Sequence, residues 1–181
     1  GLSIFKIVCD RDGEYWFSTN NGLYRFRPSS DDVMEGVMTN HFPSVITTDM
    51  HIDYTTENDK IIWLGTRHGL NKVIFRKDAT KPEIISLEEG KDEGRIPSGF
   101  ISAVYSDSED RLWILELDGS INLVTGGRRD GSYPSFQTMN INTEYTFDTA
   151  ESLQEDNSGN LWIGGIRMMK FHPITWSCEF F

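Results

Sequence analysis

Carboxylates are the chemistry-bearing residues that recur most regularly in this 181-residue chain. Asp10-Arg11-Asp12-Gly13-Glu14 gathers three of them in five residues, which is raw material for a calcium loop. Calcium asks for about six to eight oxygens, however. The matching stretches elsewhere are interrupted by Lys60 and Arg111. A hairpin turn capped by its own Asp is the better reading, because Asx side chains bond back to nearby backbone. The histidines, His41, His51, His68 and His172, show no paired spacing of the kind that holds zinc. No Gly-x-Ser-x-Gly elbow or Walker loop occurs. The sequence therefore predicts no metal, no cofactor and no nucleophile motif. An acid–base pair of the type used by hydrolases and lyases stays open, since acidic residues are plentiful.

The acidic stretches are parts of a longer pattern. DRDGEYWFST begins at Asp10, ENDKIIWLGT at Glu57, DSEDRLWILE at Asp107, and DNSGNLWIGG at Asp156. Their tryptophans, Trp16, Trp63, Trp113 and Trp162, lie 47, 50 and 49 residues apart. A carboxylate stands six residues before each, at Asp10, Glu57, Asp107 and Asp156. Nine before it stands an apolar residue or Tyr, at Ile7, Tyr54, Val104 and Leu153. Four copies at nearly constant period are the mark of a repeat architecture.

Each copy reads as strand, turn and strand. Ile4–Val8, Tyr15–Ser18, Leu23–Phe26 and His41–Ile46 are expected as the strands of the first unit. Ile52–Thr55, Ile61–Gly65, Leu70–Phe75 and Ile84–Leu87 repeat the plan. So do Ile101–Tyr105, Leu112–Leu115, Ile121–Val124 and Phe136–Ile141 in the third unit. Ala150–Leu153, Leu161–Ile163 and Met168–Phe171 follow, and the apolar tail Thr175–Phe181 is either a closing strand or a truncated next element. The apolar runs are short and bounded by turn residues, and no amphipathic helix is visible. Four strands at this period make a β-propeller blade. Consecutive bulky residues such as Tyr15-Trp16-Phe17 suit a sheet covered on both faces by its neighbours. The expected fold is all-β: one β-propeller segment over residues 1–181, with repeats near 3–47, 48–98, 99–147 and 148–181. It is either complete or part of a larger propeller. Four blades sit at the lower limit for a closed ring. An open arc would need a second copy or further blades to cover its two end faces.

Bulk composition narrows the partners. The formal charge is −11, and 38% of residues are apolar, with no run long enough to span a bilayer. Neither nucleic acid nor an anionic membrane is expected as a general partner, since both require a basic footprint. The chain starts at Gly1 without Met, so it reads as a processed or excerpted piece. Cys9 and Cys178 lie near the two ends. A disulfide there would tie the first unit to the last, and two unpaired small hydrophobes are the simpler expectation.

The motif Asp-x-x-Gly-Asn-Leu-Trp-Ile-Gly, then Gly-Leu-x-Arg-Phe, resembles the two-component regulator propeller repeat. The first unit carries it as Asp10, Gly13, Trp16, Thr19, Gly22, Leu23, Arg25 and Phe26. The second carries Trp63, Gly65, Thr66, Gly69 and Leu70, with Lys60 at the turn glycine position. The fourth carries Asp156, Gly159, Asn160, Leu161, Trp162, Ile163 and Gly164, with Met168 in place of the second Gly. The third departs at Asp110 and Glu116. The resemblance implies an extracytoplasmic, periplasmic sensor segment of a hybrid two-component protein, whose parent would be a membrane-anchored sensor histidine kinase. It implies signal transduction driven by oligosaccharides, with no enzymatic activity in this segment and membrane contact only through other parts of the parent. Association of two copies, or packing on further blades, goes with that reading.

Where a ligand would bind follows from comparing the repeats with one another. Scaffold repeats, whereas a site for an asymmetric ligand does not. The Asp-x-x-Gly turns vary little and lie on one end of the blades. Turns between the second and third strands lie on the other end, with the connections into each new blade, and these vary. They carry Asn20, Asn21, Arg67, His68, Asp118 and Arg167, with Asp49, His51, Ser98, Phe100, Tyr145 and Phe147 on the connections. A sugar wants aromatic platforms and bidentate polar groups. The predicted ligand-binding set is Asn21, Arg67, His68, Phe100, Asp118, Tyr145 and Arg167. The repeated tryptophans are assigned to packing, and Arg128-Arg129 in GGRRDG to a solvated flexible loop. The alternatives are a propeller lyase or glycosidase, using His51 and Glu116, and a protein-interaction propeller with no small ligand.

Overall fold

The computed structural model describes residues 1–29, 35–87, 99–139 and 149–181. These form four four-stranded antiparallel sheets, each a meander in chain order. Blade one is β1 (Ile4–Cys9), β2 (Tyr15–Thr19), β3 (Gly22–Pro28) and β4 (Gly36–Asn40). Blade two is β5 (Thr47–Tyr54), β6 (Lys60–Thr66), β7 (Gly69–Phe75) and β8 (Glu83–Leu87). Blade three is β9 (Ile101–Ser106), β10 (Leu112–Glu116), β11 (Ile121–Gly126) and β12 (Ser135–Met139). Blade four is β13 (Ala150–Glu155), β14 (Leu161–Gly165), β15 (Met168–His172) and β16 (Ser177–Phe180). The inner strands pack in series, β1 on β5, β5 on β9 and β9 on β13. This is a β-propeller of four blades.

Side chains alternate between the two faces of each blade, and that alternation gives the stack a direction. Trp16 and Leu23 of blade one meet Met50, Ile62, Leu64 and Val73 of blade two. Trp63 and Leu70 of blade two meet Ile101, Leu112 and Ile114 of blade three. Trp113 and Leu115 of blade three meet Leu161, Ile163, Met169 and Phe171 of blade four. Every interface thus inserts the tryptophan of one blade into the flanking apolar pair of the next. Trp16, Trp63 and Trp113 are fully buried. Replacing one by Ala would cost about 3–5 kcal/mol.

The first-hairpin turns work as predicted in three blades. Asp10 Oδ1 accepts from the backbone of Asp12 and Glu14 at 2.9 and 3.0 Å. Asp107 and Asp156 cap their turns in the same way. The other carboxylate oxygen accepts the indole N–H six residues on: Trp16 at 2.7 Å, Trp113 at 2.7 Å and Trp162 at 2.9 Å. Positive φ falls on Gly13, Asp110 and Gly159, so Asp110 takes the backbone conformation that glycine takes elsewhere.

Blade two departs from the pattern. Its first turn starts at Thr55 rather than Glu57, with the Thr55 Oγ1 accepting from the Asp59 amide at 3.0 Å. Asn58, at φ 64°, replaces Lys60 as the residue in the glycine position. The hairpin is correspondingly longer, and among the described residues the indole N–H of Trp63 has no hydrogen-bond partner.

Two further expectations change. His41–Ile46 is not a strand, since Pro43 lacks an N–H and Ser44 sits at φ 68°. Gly36–Asn40 pairs with β3 instead. The tail supplies β16, so the closing-strand reading holds. Cys9 and Cys178 are both free thiols, and burial raises the Cys178 pKa.

Candidate functional site

The turns between second and third strands and the connections into the next blade are bound together at one end of the molecule. Thr47 Oγ1 donates to the carbonyls of Thr19 and Gly22 at 3.2 and 3.1 Å, tying the start of β5 to the blade one turn. Gly69 N–H donates to Gly99 O. Leu117 N–H donates to Phe100 O at 3.0 Å, and Ala150 N–H donates to Leu117 O at 2.9 Å. This is the end that the repeat comparison singles out.

Of the predicted residues, Arg67 and Phe100 meet. The guanidinium carbon lies 5.8 Å from the ring centroid, a cation–π pair across the junction of blades two and three. The Asn21 side chain is engaged locally: its Nδ2 donates to Tyr24 Oη at 3.3 Å, and its Oδ1 accepts from Ser44 N at 3.2 Å. Asp118 caps its own turn through the Ser120 amide at 2.9 Å. His68 and Arg167 are exposed on turns of blades two and four. Tyr145, Ser98 and Phe147 lie outside the described residues.

The inner strands of all four blades line an open cavity of about 280 Å³. It is lined by Phe5 and Lys6 of β1, Thr48 and Asp49 of β5, Ser102 and Tyr105 of β9, and Glu151 and Ser152 of β13. Lys6 Nζ lies 3.3 Å from Asp49 Oδ1. Asp49 Oδ2 accepts from Val104 N at 2.9 Å, and Thr48 Oγ1 donates to Ile101 O at 2.6 Å. Lys6 and Tyr105 also line a second cavity of about 400 Å³, which reaches Arg11, His51 and Tyr54 nearer the opposite end. The two together make a groove along the inner strands. At its far end Arg11 lies over the Tyr54 ring at 4.0 Å and donates its backbone N–H to Tyr54 Oη at 3.0 Å. Such a groove, with aromatic faces and both signs of charge, can hold a polyhydroxylated solute by stacking and paired hydrogen bonds.

Three ionic constructions join residues that the sequence keeps far apart. The carboxylates of Asp10, Asp12 and Glu14 do converge, but onto Lys60 of the next blade. Its ammonium pairs with Asp10, with Glu14 at 3.0 Å and with Asp12 at 3.2 Å. Burial opposes ionisation of Glu14, yet hydrogen bonds from Arg25, Arg27 and Lys60 bring its carboxyl down to about 2. Burial likewise opposes the Lys60 charge, and Asp10 and Glu14 raise its pKa regardless.

Arg128 and Arg129 are fastened rather than flexible. Arg128 Nε donates to the buried Asp53 at 2.7 Å, and Arg129 spans Asp53 and Asp110 at 3.1 and 2.6 Å. Burial would raise the Asp53 pKa, but His51 and Arg128 hold it below the usual carboxylate range. Finally, the fully buried Lys72 of β7 donates to the carbonyls of Gly127, Asp130 and Ser132, closing the GGRRDG loop around its ammonium. One signal for this was available: Lys72 is a lone cation inside the apolar strand Leu70–Phe75.

The catalytic pair of the enzyme alternative does not assemble around one cavity. His51 lines the groove, whereas Glu116 is fully buried and accepts from Asn122 Nδ2 at 2.8 Å.

Comparison with known proteins agrees on architecture. No protein-family model matches the chain, and a search of curated proteins finds no match. Solved structures do resemble it. A catalytically inactive virginiamycin B lyase from Staphylococcus aureus aligns over 100% of this chain and 56% of its own, at 17% identity and TM-score 0.68. The extracellular domain of a B. thetaiotaomicron protein assigned as a hybrid two-component system aligns over 99% of this chain and 23% of its own, at 15% identity and TM-score 0.69. A Bacteroides fragilis protein assigned as a 6-phosphogluconolactonase aligns over 99% of this chain and 53% of its own, at 9% identity and TM-score 0.58. The chain spans about half the length of the first and third and less of the second. At these identities the likeness establishes the propeller fold, which sensors and enzymes share.

Proposed function

We propose that this chain is a ligand-sensing segment of an extracytoplasmic two-component sensor, located in the periplasm and binding an oligosaccharide. The carrying observation is the groove of the inner strands, lined by residues of all four blades. Asp49, Lys6 and Glu151 supply hydrogen-bonding charge, and Phe5 and Tyr105 supply ring faces. The repeat motif and the resemblance to an extracellular sensor domain support the same reading. No helix among the described residues is long and apolar enough to cross a membrane, so anchoring and kinase activity belong to other parts of a parent protein in this proposal.

Calorimetric titration of the chain with neutral and acidic oligosaccharides is the test. Saturable binding is expected, weakened on the order of tenfold by Lys6→Ala, which removes one charge-assisted contact from the groove. Absence of binding across the panel would overturn the reading in favour of a protein-interaction propeller. Cleavage of the panel would overturn it in favour of a lyase or glycosidase.

A further inference from the structure

The junctions between blades repeat one another, and the first departs from the second. In blades one and two a cation stands across the hairpin from the tryptophan, Arg25 opposite Trp16 and Lys72 opposite Trp63. Each lies over the indole ring, at 5.3 and 5.6 Å. At the second junction the loop of blade three closes over that cation, with the Lys72 ammonium donating to the carbonyls of Gly127, Asp130 and Ser132. At the first junction the matching loop of blade two, residues 76–82, instead borders a cavity of about 480 Å³ that Arg25 and Trp16 line.

The walls of this cavity are cationic. Blade one contributes Arg25 and Arg27, and blade two contributes Lys60, Arg76, Lys77 and Lys81. Among the described residues that line it, Asp12 is the one carboxylate. Glu14 is shared by three of the cations, Arg25, Arg27 and Lys60, and Arg76 pairs with Asp59 and Glu83. Lys77 and Lys81 form no ion pair among the described residues. Such a gathering of cations runs against a chain charge of −11. His41 and Phe75, packed edge to face with ring centroids 5.0 Å apart, add an aromatic wall.

We infer that this cavity binds a solute carrying two or more oxyanion groups, sulfate, phosphate or carboxylate. Guanidinium forks match such groups bidentately, and lysine ammoniums serve them as point charges. A cleft lined by one sign of charge concentrates the opposite ion. Cations on both walls suit a solute with more than one anionic group. The cavity shares no lining residue with the groove of the inner strands. The inference therefore does not rest on the oligosaccharide reading, and either can fail alone.

Calorimetric titration of the chain at low ionic strength is the test, with pyrophosphate and a disulfated disaccharide as probes. Saturable binding is expected, weakened on the order of tenfold in the double variant Lys77→Ala/Lys81→Ala. Those two lysines leave the Glu14 cluster intact, and far-UV circular dichroism reports folding. Lys170→Ala removes a cation elsewhere on the chain and is expected to bind as wild type does. Amide chemical shifts of the wild type are expected to move at residues 76–82 and at Arg25 and Arg27 during the same titration. Binding of one probe alone at these residues supports the inference and names the group, phosphate or sugar sulfate. Absence of binding by both probes overturns it. So does binding that the double variant leaves unchanged, that Lys170→Ala weakens equally, or whose shift changes are confined to the inner-strand groove.

Discussion

Single carboxylates do two jobs in this protein. Asp107 caps its hairpin and accepts the indole N–H of the fully buried Trp113. Asp107→Ala removes both and leaves a buried donor unpaired, so a loss of about 1–3 kcal/mol is expected in urea unfolding. Trp63 provides the natural comparison, since among the described residues its indole N–H already lacks an acceptor. Glu57→Ala should therefore change stability by less than about 0.5 kcal/mol, despite matching Asp107 in sequence position.

The cluster on Lys60 gives the pH dependence a direction. Glu14 titrates near 2 in the folded chain and near about 4.3 when unfolded. Its stabilisation is therefore complete above about pH 4.3 and is lost as pH falls toward 2. Unfolding free energies measured from pH 6 to pH 2 should drop less steeply in Glu14→Gln than in the wild type. A parallel pair of curves would refute the assignment.

At the scale of elements, the loop after β11 is the instructive case. GGRRDG is glycine-rich and charged, which by composition alone reads as solvated chain. Its order comes from residues far away in sequence: Asp53 clamps the arginines, and Lys72 gathers three of the carbonyls. Lys72→Met keeps the apolar stem and removes the donor. Amide exchange over residues 127–132 is expected to accelerate on the order of tenfold, with the sheet interiors little changed. The same dependence on distant partners explains the first turn of blade two. Counting back from Trp63 assigns the turn to Glu57 and Lys60. The longer β5–β6 hairpin moves it to Thr55 and Asn58 and frees Lys60 to reach blade one. Strand four of blade one falls at Gly36–Asn40 rather than His41–Ile46, and the reason is local, Pro43 in the middle of the latter stretch.

For the whole molecule, the directional stack has a thermodynamic consequence. The middle junction buries Trp63 of blade two against Ile101, Leu112 and Ile114 of blade three, so each half of the stack leans on the other through it. Trp63→Ala is expected to lower the unfolding free energy in urea by about 3–5 kcal/mol. A loss below about 1 kcal/mol would argue that the blades hold their structure without that contact.

The repeat, the propeller fold and the end of the blades on which the turns vary are all written in the chain. Each of these follows from local periodicity: turn residues, alternating strands and a tryptophan once per unit. Tertiary structure decided what the repeats do to one another. It sent Trp16, Trp63 and Trp113 into the next blade, and it turned the calcium-like carboxylates onto Lys60. It also joined Arg67 to Phe100 while leaving Asn21 and Asp118 in their own turns, and it drew the inner strands together into a groove. Those outcomes depend on which faces meet, and spacing along the chain carries no record of pairing between side chains about 50 residues apart.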